Sequence, residues 1–366
     1  MKVIIAGGGT GGHVFPAIAI GKELVCRVPG IDLLFVGAQD RLEMEKVPAA
    51  GFKIIGLWIS GFQRKLSLKN LMFPIKLIHS TWKSNQIIKN FKPDVVIGVG
   101  GYASGPILKS AQTKAIPTVI LESNSYAGLT NRILGAKASA ICTAFSAMDK
   151  FFPASKVYKT GNPVRQEVAH YQGTKEDAVK SFNLDPTKKT IIVLGGSLGA
   201  GTINQAMIDN SDLIKLNDSW QWIWQCGRRY MQKCEASETF YLPNVKLLPF
   251  VEKMDALYAA ADIAIARAGA LTIAEICLVG LPSILVPSPN VAEDHQTKNA
   301  LSLTHVGAAS YIADGQISDK MISKLTDLLG NRSKLETMRT LLKQLAKPNA
   351  TSDIVSIVVS LSKKGK

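Results

Sequence analysis

The sequence is short of acid. Its 366 residues carry 28 Asp and Glu against 43 Lys and Arg, a formal net charge of +15 at pH 7. Such a balance points to an anionic partner, whether nucleic acid, a phosphorylated substrate or an acidic lipid surface. Cysteine is scarce as well: Cys26, Cys142, Cys226, Cys234 and Cys277 are odd in number and include no Cys-x-x-Cys pair. This excludes a disulfide framework or a cysteine zinc site and predicts reduced thiols in the cytosol. His13 and His295 lack the spacing of metal ligands, so no metal site is expected. Uninterrupted apolar runs are missing too. The most apolar long stretch, Ala256 to Val286, is broken by Asp262, Arg267, Glu275, Gly280 and Pro282, whereas a spanning helix needs about 20 mostly apolar residues. The apolar start Met1–Ala6 meets glycine at once, too soon for a signal-peptide core. Neither a bilayer-spanning nor a secreted protein is expected.

What is present suits a soluble globular chain: 46% hydrophobic residues, 19% charged residues and 30 glycines. At about 150 residues per domain, the length predicts two domains. Short β-rich runs alternate with helix-like segments: Val3–Ile5, Leu33–Val36, Val95–Val99, Thr118–Leu121, Ile191–Leu194, Val245–Leu248, Ile263–Ala266 and Ser283–Val286. That alternation predicts an α/β fold with parallel sheets covered by helices.

Two of these runs share one grammar, a strand ending in glycines that open a helix: Val3 to Gly9 and Ile191 to Ser197. The first strand of a doubly wound domain carries such a turn, so two copies predict two Rossmann-like domains, 1–162 and 163–366. Glycine and proline at Gly161-Asn162-Pro163 mark the boundary, with the last helix free to return to the first domain. Ligands of such sheets lie beyond the carboxyl ends of the strands, so the function is expected in a cleft lined by both glycine turns.

Gly7, Gly9 and Gly12 spell the dinucleotide pattern, yet the second strand ends Phe35-Val36-Gly37-Ala38 without the acid that a nicotinamide cofactor needs, Asp40 coming late. The same loop adds Thr10 and then His13, three residues before Pro16. A histidine there could take a proton from a substrate hydroxyl while nearby amides hold a phosphate; a histidine packed at a helix start explains the spacing equally. Gly98 to Pro106 makes another strand-to-helix glycine loop, and Glu122-Ser123-Asn124 follows the next strand with a carboxylate and an amide, either of which could simply cap a helix. In the second half, Arg267 to Glu275 offers helix-start amides and then a carboxylate suited to ribose hydroxyls, or merely to the helix dipole. Asp294 to Asn299 opens another helix with polar groups, His295 among them. Trp220, Trp222 and Trp224 alternate on one strand face and read as core.

Between Arg64 and Lys92 there is no acid, while Arg64, Lys65, Lys69, Lys76, Lys83, Lys89 and Lys92 supply positive charge. Leu68, Leu71, Met72, Ile75, Ile78 and Trp82 recur at helical spacing. Such a helix could lie on anionic headgroups or bury its stripe in its own domain. No nucleic-acid motif accompanies it, and no nucleic-acid partner is expected.

Taken together, GGGTGGHVFPAIAI from Gly7, GVGGYASGP from Gly98, YAGLTNRILG from Tyr126, GNPVR from Gly161, GGSLGA from Gly195, GALTIAE from Gly269 and DHQTKNA from Asp294 closely resemble the MurG family of cell-wall glycosyltransferases. The resemblance spans nearly the whole chain in order. It implies a GT-B fold of two Rossmann-like domains facing across a cleft and an inverting transfer without catalytic metal or cofactor. N-acetylglucosamine would pass from UDP-N-acetylglucosamine to the C4 hydroxyl of the muramyl sugar of lipid I, giving lipid II. It further implies a peripheral place on the cytoplasmic face of the inner membrane, on an anionic surface that holds the undecaprenyl-diphosphate acceptor, with other cell-wall synthesis proteins as possible partners. Leu68, Lys69, Met72, Ile75, Lys76 and Trp82 then become membrane contacts.

Carried over motif by motif, Thr10, Gly11 and Gly12 look like the first donor and diphosphate loop, Asn124 lies near the sugar, and Arg165 and Ser197 near the diphosphate. Val251, Ala270, Leu271, Thr272, Glu275 and Gln296 resemble the uracil, phosphate and ribose contacts, with Glu275 on the ribose. His13 and Glu122 are the catalytic candidates, His13 first for the general base. Tyr102, Asn131, Asn204, His295 and Asn299 are further cleft candidates. Two positions depart from the family pattern: Leu198, where GGSQGA is common, and Ser123, where glutamine is.

Overall fold

The computed structural model describes all residues except 62–71, 170 and 365–366. Among the described residues thirteen strands run Lys2–Ala6 (β1), Asp32–Ala38 (β2), Ile54–Leu57 (β3), Val95–Gly98 (β4), Thr118–Glu122 (β5), Ala140–Thr143 (β6), Val157–Tyr158 (β7), Lys189–Leu194 (β8), Trp220–Gln225 (β9), Val245–Leu248 (β10), Ile263–Ala266 (β11), Ser283–Leu285 (β12) and Ser310–Tyr311 (β13). They form a seven-stranded sheet, β3-β2-β1-β4-β5-β6-β7, and a six-stranded sheet, β10-β9-β8-β11-β12-β13. Every pairing is parallel. Val, Ile and Leu fill these strands because helices cover both faces and leave few positions that tolerate a polar side chain.

Each sheet reverses its strand order next to its first strand. β1 pairs with β2 on one side and β4 on the other, with Ala6 level with both Val36 and Gly98. β8 likewise lies between β9 and β11, and Leu194 is level with Gln225 and Ala266. The loops leaving β1 and β4, and those leaving β8 and β11, therefore start side by side. Such switch points are where doubly wound sheets bind ligands.

The chain divides into two units, Met1–Arg165 together with Asn349–Lys366, and Gln166–Pro348. The break falls after Arg165 rather than after Asn162, for a local reason: Asn162 Nδ2 donates to Ser123 O at 3.0 Å, and the Arg165 guanidinium lies 5.1 Å over the Phe15 ring. The helix Ala350–Lys364 belongs to the first unit. Ile354, Val355 and Val358 join the core formed by Val3, Ile5, Ile20 and Leu24, and Arg27 donates to Ser352 O at 2.9 Å and to Ser356 Oγ at 3.0 Å. In the second unit Trp220, Trp222 and Trp224 are core residues beside Ile191 and Val193. Among the described residues no helix is long and apolar enough to cross a membrane.

Candidate active site

The first unit builds its switch point from two glycine loops fitted into each other. Gly7 N donates to Val36 O at 3.0 Å, Gly8 N to Gly100 O at 3.2 Å and Gly9 N to Glu43 Oε2 at 2.7 Å. These three amides are used up within the protein. The amides left for a ligand are those of Gly11 and Gly12, which open the helix Gly11–Arg27 ahead of its first intrahelical bonds. Thr10 caps that helix in extended conformation and is exposed; its carbonyl accepts from His13 N and Val14 N, both at 3.1 Å.

His13 Nδ1 lies 3.2 Å from Gly8 O. A carbonyl only accepts, so Nδ1 is the donor, and in the neutral ring the lone pair is then on Nε2. The ring covers Gly100, where a Cβ would stand 2.7 Å from Nε2. Tyr102, more than half exposed, leans against Gly61.

Glu122 closes β5 and is buried. Its Oε1 accepts from Asn124 N at 3.0 Å, and its Oε2 from Gly128 N at 3.0 Å and Asn131 Nδ2 at 2.8 Å. Burial pushes this carboxyl above the usual carboxylate range, and the three bonds oppose that rise. The carboxylate and Asn131 thus shape the loop that presents the half-buried Asn124. Ser123 is buried beneath the same loop.

In the second unit the turn after β8 is closed by Gly199 N donating to Gly196 O at 2.9 Å, which leaves Ser197 and Leu198 exposed at its tip. Arg267, the residue after β11, has no role in the sequence reading, yet it holds this switch point together. It pairs with Asp314, donates to Thr202 Oγ1 at 2.8 Å and reaches Val286 O at 3.0 Å. Ala270, Leu271 and Thr272 start the helix Ala270–Val279 and are half-buried. Glu275 is 3% exposed and accepts from the Tyr258 hydroxyl at 2.9 Å. Gln296 Oε1 accepts from Ser288 N at 2.9 Å, and Asn299 Nδ2 donates to Ala268 O at 3.3 Å, so the helix His295–Thr304 is fastened to both neighbouring loops. His295 is half-buried at its start and Val251 is buried.

Asn204 is buried in the first turn of the helix that follows the β8 turn. Its Nδ2 donates to Cys226 O at 2.8 Å and its Oδ1 accepts from Trp224 Nε1 at 2.9 Å, which ties the helix Gly201–Asp209 to β9. Leu68 and Lys69 lie outside the described residues. Along the helix Phe73–Phe91 the stripe faces outward: Ile75 is 53% exposed, Ile78 71% and Trp82 57%, with Met72 exposed just before it. The inward face is Ser80, Ser84, Ile87 and Ile88. Lys76 donates to Ser60 Oγ at 3.1 Å and lies over the Trp58 ring. Among the described residues no group of His, Cys, Asp or Glu is placed to hold a metal ion.

The N-terminal domain of glycosyltransferase family 28 matches residues 3–143, and the C-terminal domain of that family matches residues 190–354. The chain belongs to glycosyltransferase family 28. Its relatives include a Flavobacterium psychrophilum protein, 48% identical over 365 residues, a match that covers 98% of this chain and 97% of that one. That protein is named UDP-N-acetylglucosamine–N-acetylmuramyl-(pentapeptide) pyrophosphoryl-undecaprenol N-acetylglucosamine transferase. A Bacteroides thetaiotaomicron protein of the same name is 49% identical over 364 residues, covering 99% of this chain and 98% of its own. The crystal structure of Acinetobacter baumannii MurG superposes with a TM-score of 0.76 at 30% identity, over 98% of this chain and 99% of that one. The two parallel-sheet units are those of the GT-B fold found in family 28.

Proposed function

We propose that the chain transfers N-acetylglucosamine, with inversion, from UDP-N-acetylglucosamine to the C4 hydroxyl of the muramyl sugar of lipid I, forming lipid II. The substrates follow from the names of relatives that match along nearly their whole length. The observation that carries the chemistry is the contact of His13 Nδ1 with Gly8 O, which leaves Nε2 as the basic nitrogen at a switch-point loop.

In this reading the C4 hydroxyl gives its proton to His13 Nε2, and its oxygen forms the new bond to the anomeric carbon. The bond from that carbon to UDP breaks on the opposite face, and its electron pair goes to the β-phosphate oxygen. Glu122 keeps the Asn124 loop in shape and His13 is the base. Glu275 takes the ribose, with Val251, Ala270, Leu271, Thr272 and Gln296 around the uridine. The helix-start amides at Thr10, Gly11 and Gly12, together with Arg165 and Ser197, meet the charge growing on the diphosphate. Fixed dipoles and a guanidinium supply there what a divalent cation supplies in other transferases, so no metal is required. Met72, Ile75, Ile78 and Trp82, on a chain of net charge +15, rest on the anionic cytoplasmic face of the inner membrane, where the lipid acceptor is found.

The test is UDP release from UDP-N-acetylglucosamine by the purified protein in EDTA, with and without a short-chain lipid I analogue. Acceptor-dependent release is expected, and His13→Ala should lower kcat by roughly 100- to 10,000-fold. No release by folded protein with soluble acceptor would overturn the assignment.

A further inference from the structure

The helix Glu43–Ala49 begins with a carboxylate that no motif picks out. Glu43 is 1% exposed, and its two oxygens each take one backbone amide: Oε2 from Gly9 N at 2.7 Å and Oε1 from Ala38 N at 2.9 Å. Gly8 lies flush against it, for a Cβ there would stand 2.1 Å from the carboxylate carbon. Among the described residues no cation pairs with Glu43. A buried carboxylate without a counter-charge is expensive.

The amide that Glu43 grips belongs to a particular peptide. The Gly9 N–H and the Gly8 carbonyl are the two ends of one peptide unit, and that carbonyl is the acceptor for His13 Nδ1. Carboxylate, peptide and imidazole thus form a single line of hydrogen bonds. Two consequences follow. A peptide between two glycines turns over easily, and Glu43 fixes its plane so that the carbonyl faces the ring. A charged acceptor on the N–H also polarises the peptide, making its carbonyl a stronger acceptor for Nδ1–H. A general base is commonly oriented by a third group, usually a carboxylate in direct contact.

We propose that Glu43 is a positioning residue for His13, acting through the Gly8–Gly9 peptide to hold the Nδ1–H tautomer and steady the imidazolium formed on proton transfer. This rests on His13 being the base, but its structural half can be read without any substrate. Glu43→Gln keeps the volume yet offers one acceptor oxygen where two amides ask for one each, and turns its own N–H towards a donor.

The measurement is long-range nitrogen–proton NMR on protein with ¹⁵N-labelled histidine, His13 being assigned by His13→Ala. Wild type should have a protonated Nδ1 and a bare Nε2, and Glu43→Gln should shift His13 towards the Nε2–H form. In the transfer assay the same variant should lose kcat by roughly 10- to 100-fold with little change in KM for the sugar nucleotide. Glu43→Asp, charged but too short to span both amides, should move both readings the same way and serves if the glutamine variant does not fold. An unchanged His13 tautomer in a folded variant overturns the proposal, as does a change in KM alone or a failure of both variants to fold. If the wild-type protein transfers no sugar, the tautomer still decides the proposal while the proposed reaction falls.

Discussion

A Cβ on Gly101 would stand 2.2 Å from the carbonyl oxygen of Gly8, and Gly101 holds φ at +84°. The two glycine loops of the first unit therefore touch backbone to backbone, where no side chain fits. Gly101→Ala should destabilise the protein by about 1–3 kcal/mol from strain alone, lowering the melting temperature by several degrees and abolishing UDP release. Gly105→Ala is the control, because its Cβ would meet only the Thr130 methyl, at 3.3 Å. Calorimetry that found both variants equally stable would refute the close fit.

Tyr258 holds one oxygen of Glu275 in place. Tyr258→Phe leaves the carboxylate charged but less firmly oriented, at a cost of about 1 kcal/mol. The KM for UDP-N-acetylglucosamine should rise severalfold in steady-state kinetics while kcat stays near its wild-type value. A fall in kcat at unchanged KM would remove Glu275 from ribose binding.

Glu122 makes stability depend on pH in a definite direction. Burial raises its carboxyl above the ordinary range, so the fold favours the neutral form. The stability this contributes is complete below the unfolded carboxylate pKa and is lost as pH rises through the folded value. Glutamine does not titrate. The melting temperature of wild type minus that of Glu122→Gln should therefore fall as pH rises above the ordinary carboxylate range, and a difference that widened would contradict the burial argument.

Burial pushes the thiols of Cys142 and Cys277 up to about 12, whereas Cys26 is exposed. Thiolates, not thiols, react. Alkylation of the native protein near pH 8 followed by peptide mass spectrometry should find Cys26 modified and the other two intact.

The outward stripe of the Phe73–Phe91 helix can be tested apart from catalysis. Ile75→Ser, Ile78→Ser and Trp82→Ser each remove exposed apolar surface, so thermal unfolding should barely change. Sedimentation with phosphatidylglycerol vesicles should weaken with each, by about 1.5–3 kcal/mol if the side chain is fully inserted.

The strands were legible wherever burial on both faces left a continuous apolar run, as in Ile191–Leu194 or Thr118–Leu121. Ile54–Leu57 is hidden because Gly56 breaks its apolar run, Ala140–Thr143 because only Ala140, Ile141 and Cys142 are apolar, and Val157–Tyr158 and Ser310–Tyr311 because each has only two residues. Within the site, residues carried by a local motif, such as Thr10 to His13, could be named from sequence. Residues defined by distant partners could not. Arg267 meets Asp314 47 positions on. Glu43 meets Gly9 across 34 positions. The glycine loop also misled in one respect: it reads as a row of amides for phosphate, whereas Gly7, Gly8 and Gly9 spend theirs on the protein itself.

The return of the Ala350–Lys364 helix to the first unit has a consequence for biosynthesis. The apolar surface that Ile354, Val355 and Val358 finally cover belongs to strands and a helix that leave the ribosome first. All of Gln166–Pro348 must be translated in between, which takes about 10–40 s at about 5–20 residues per second. During that interval the nascent first unit carries an open apolar face, because the helix that covers it is the last element to be made.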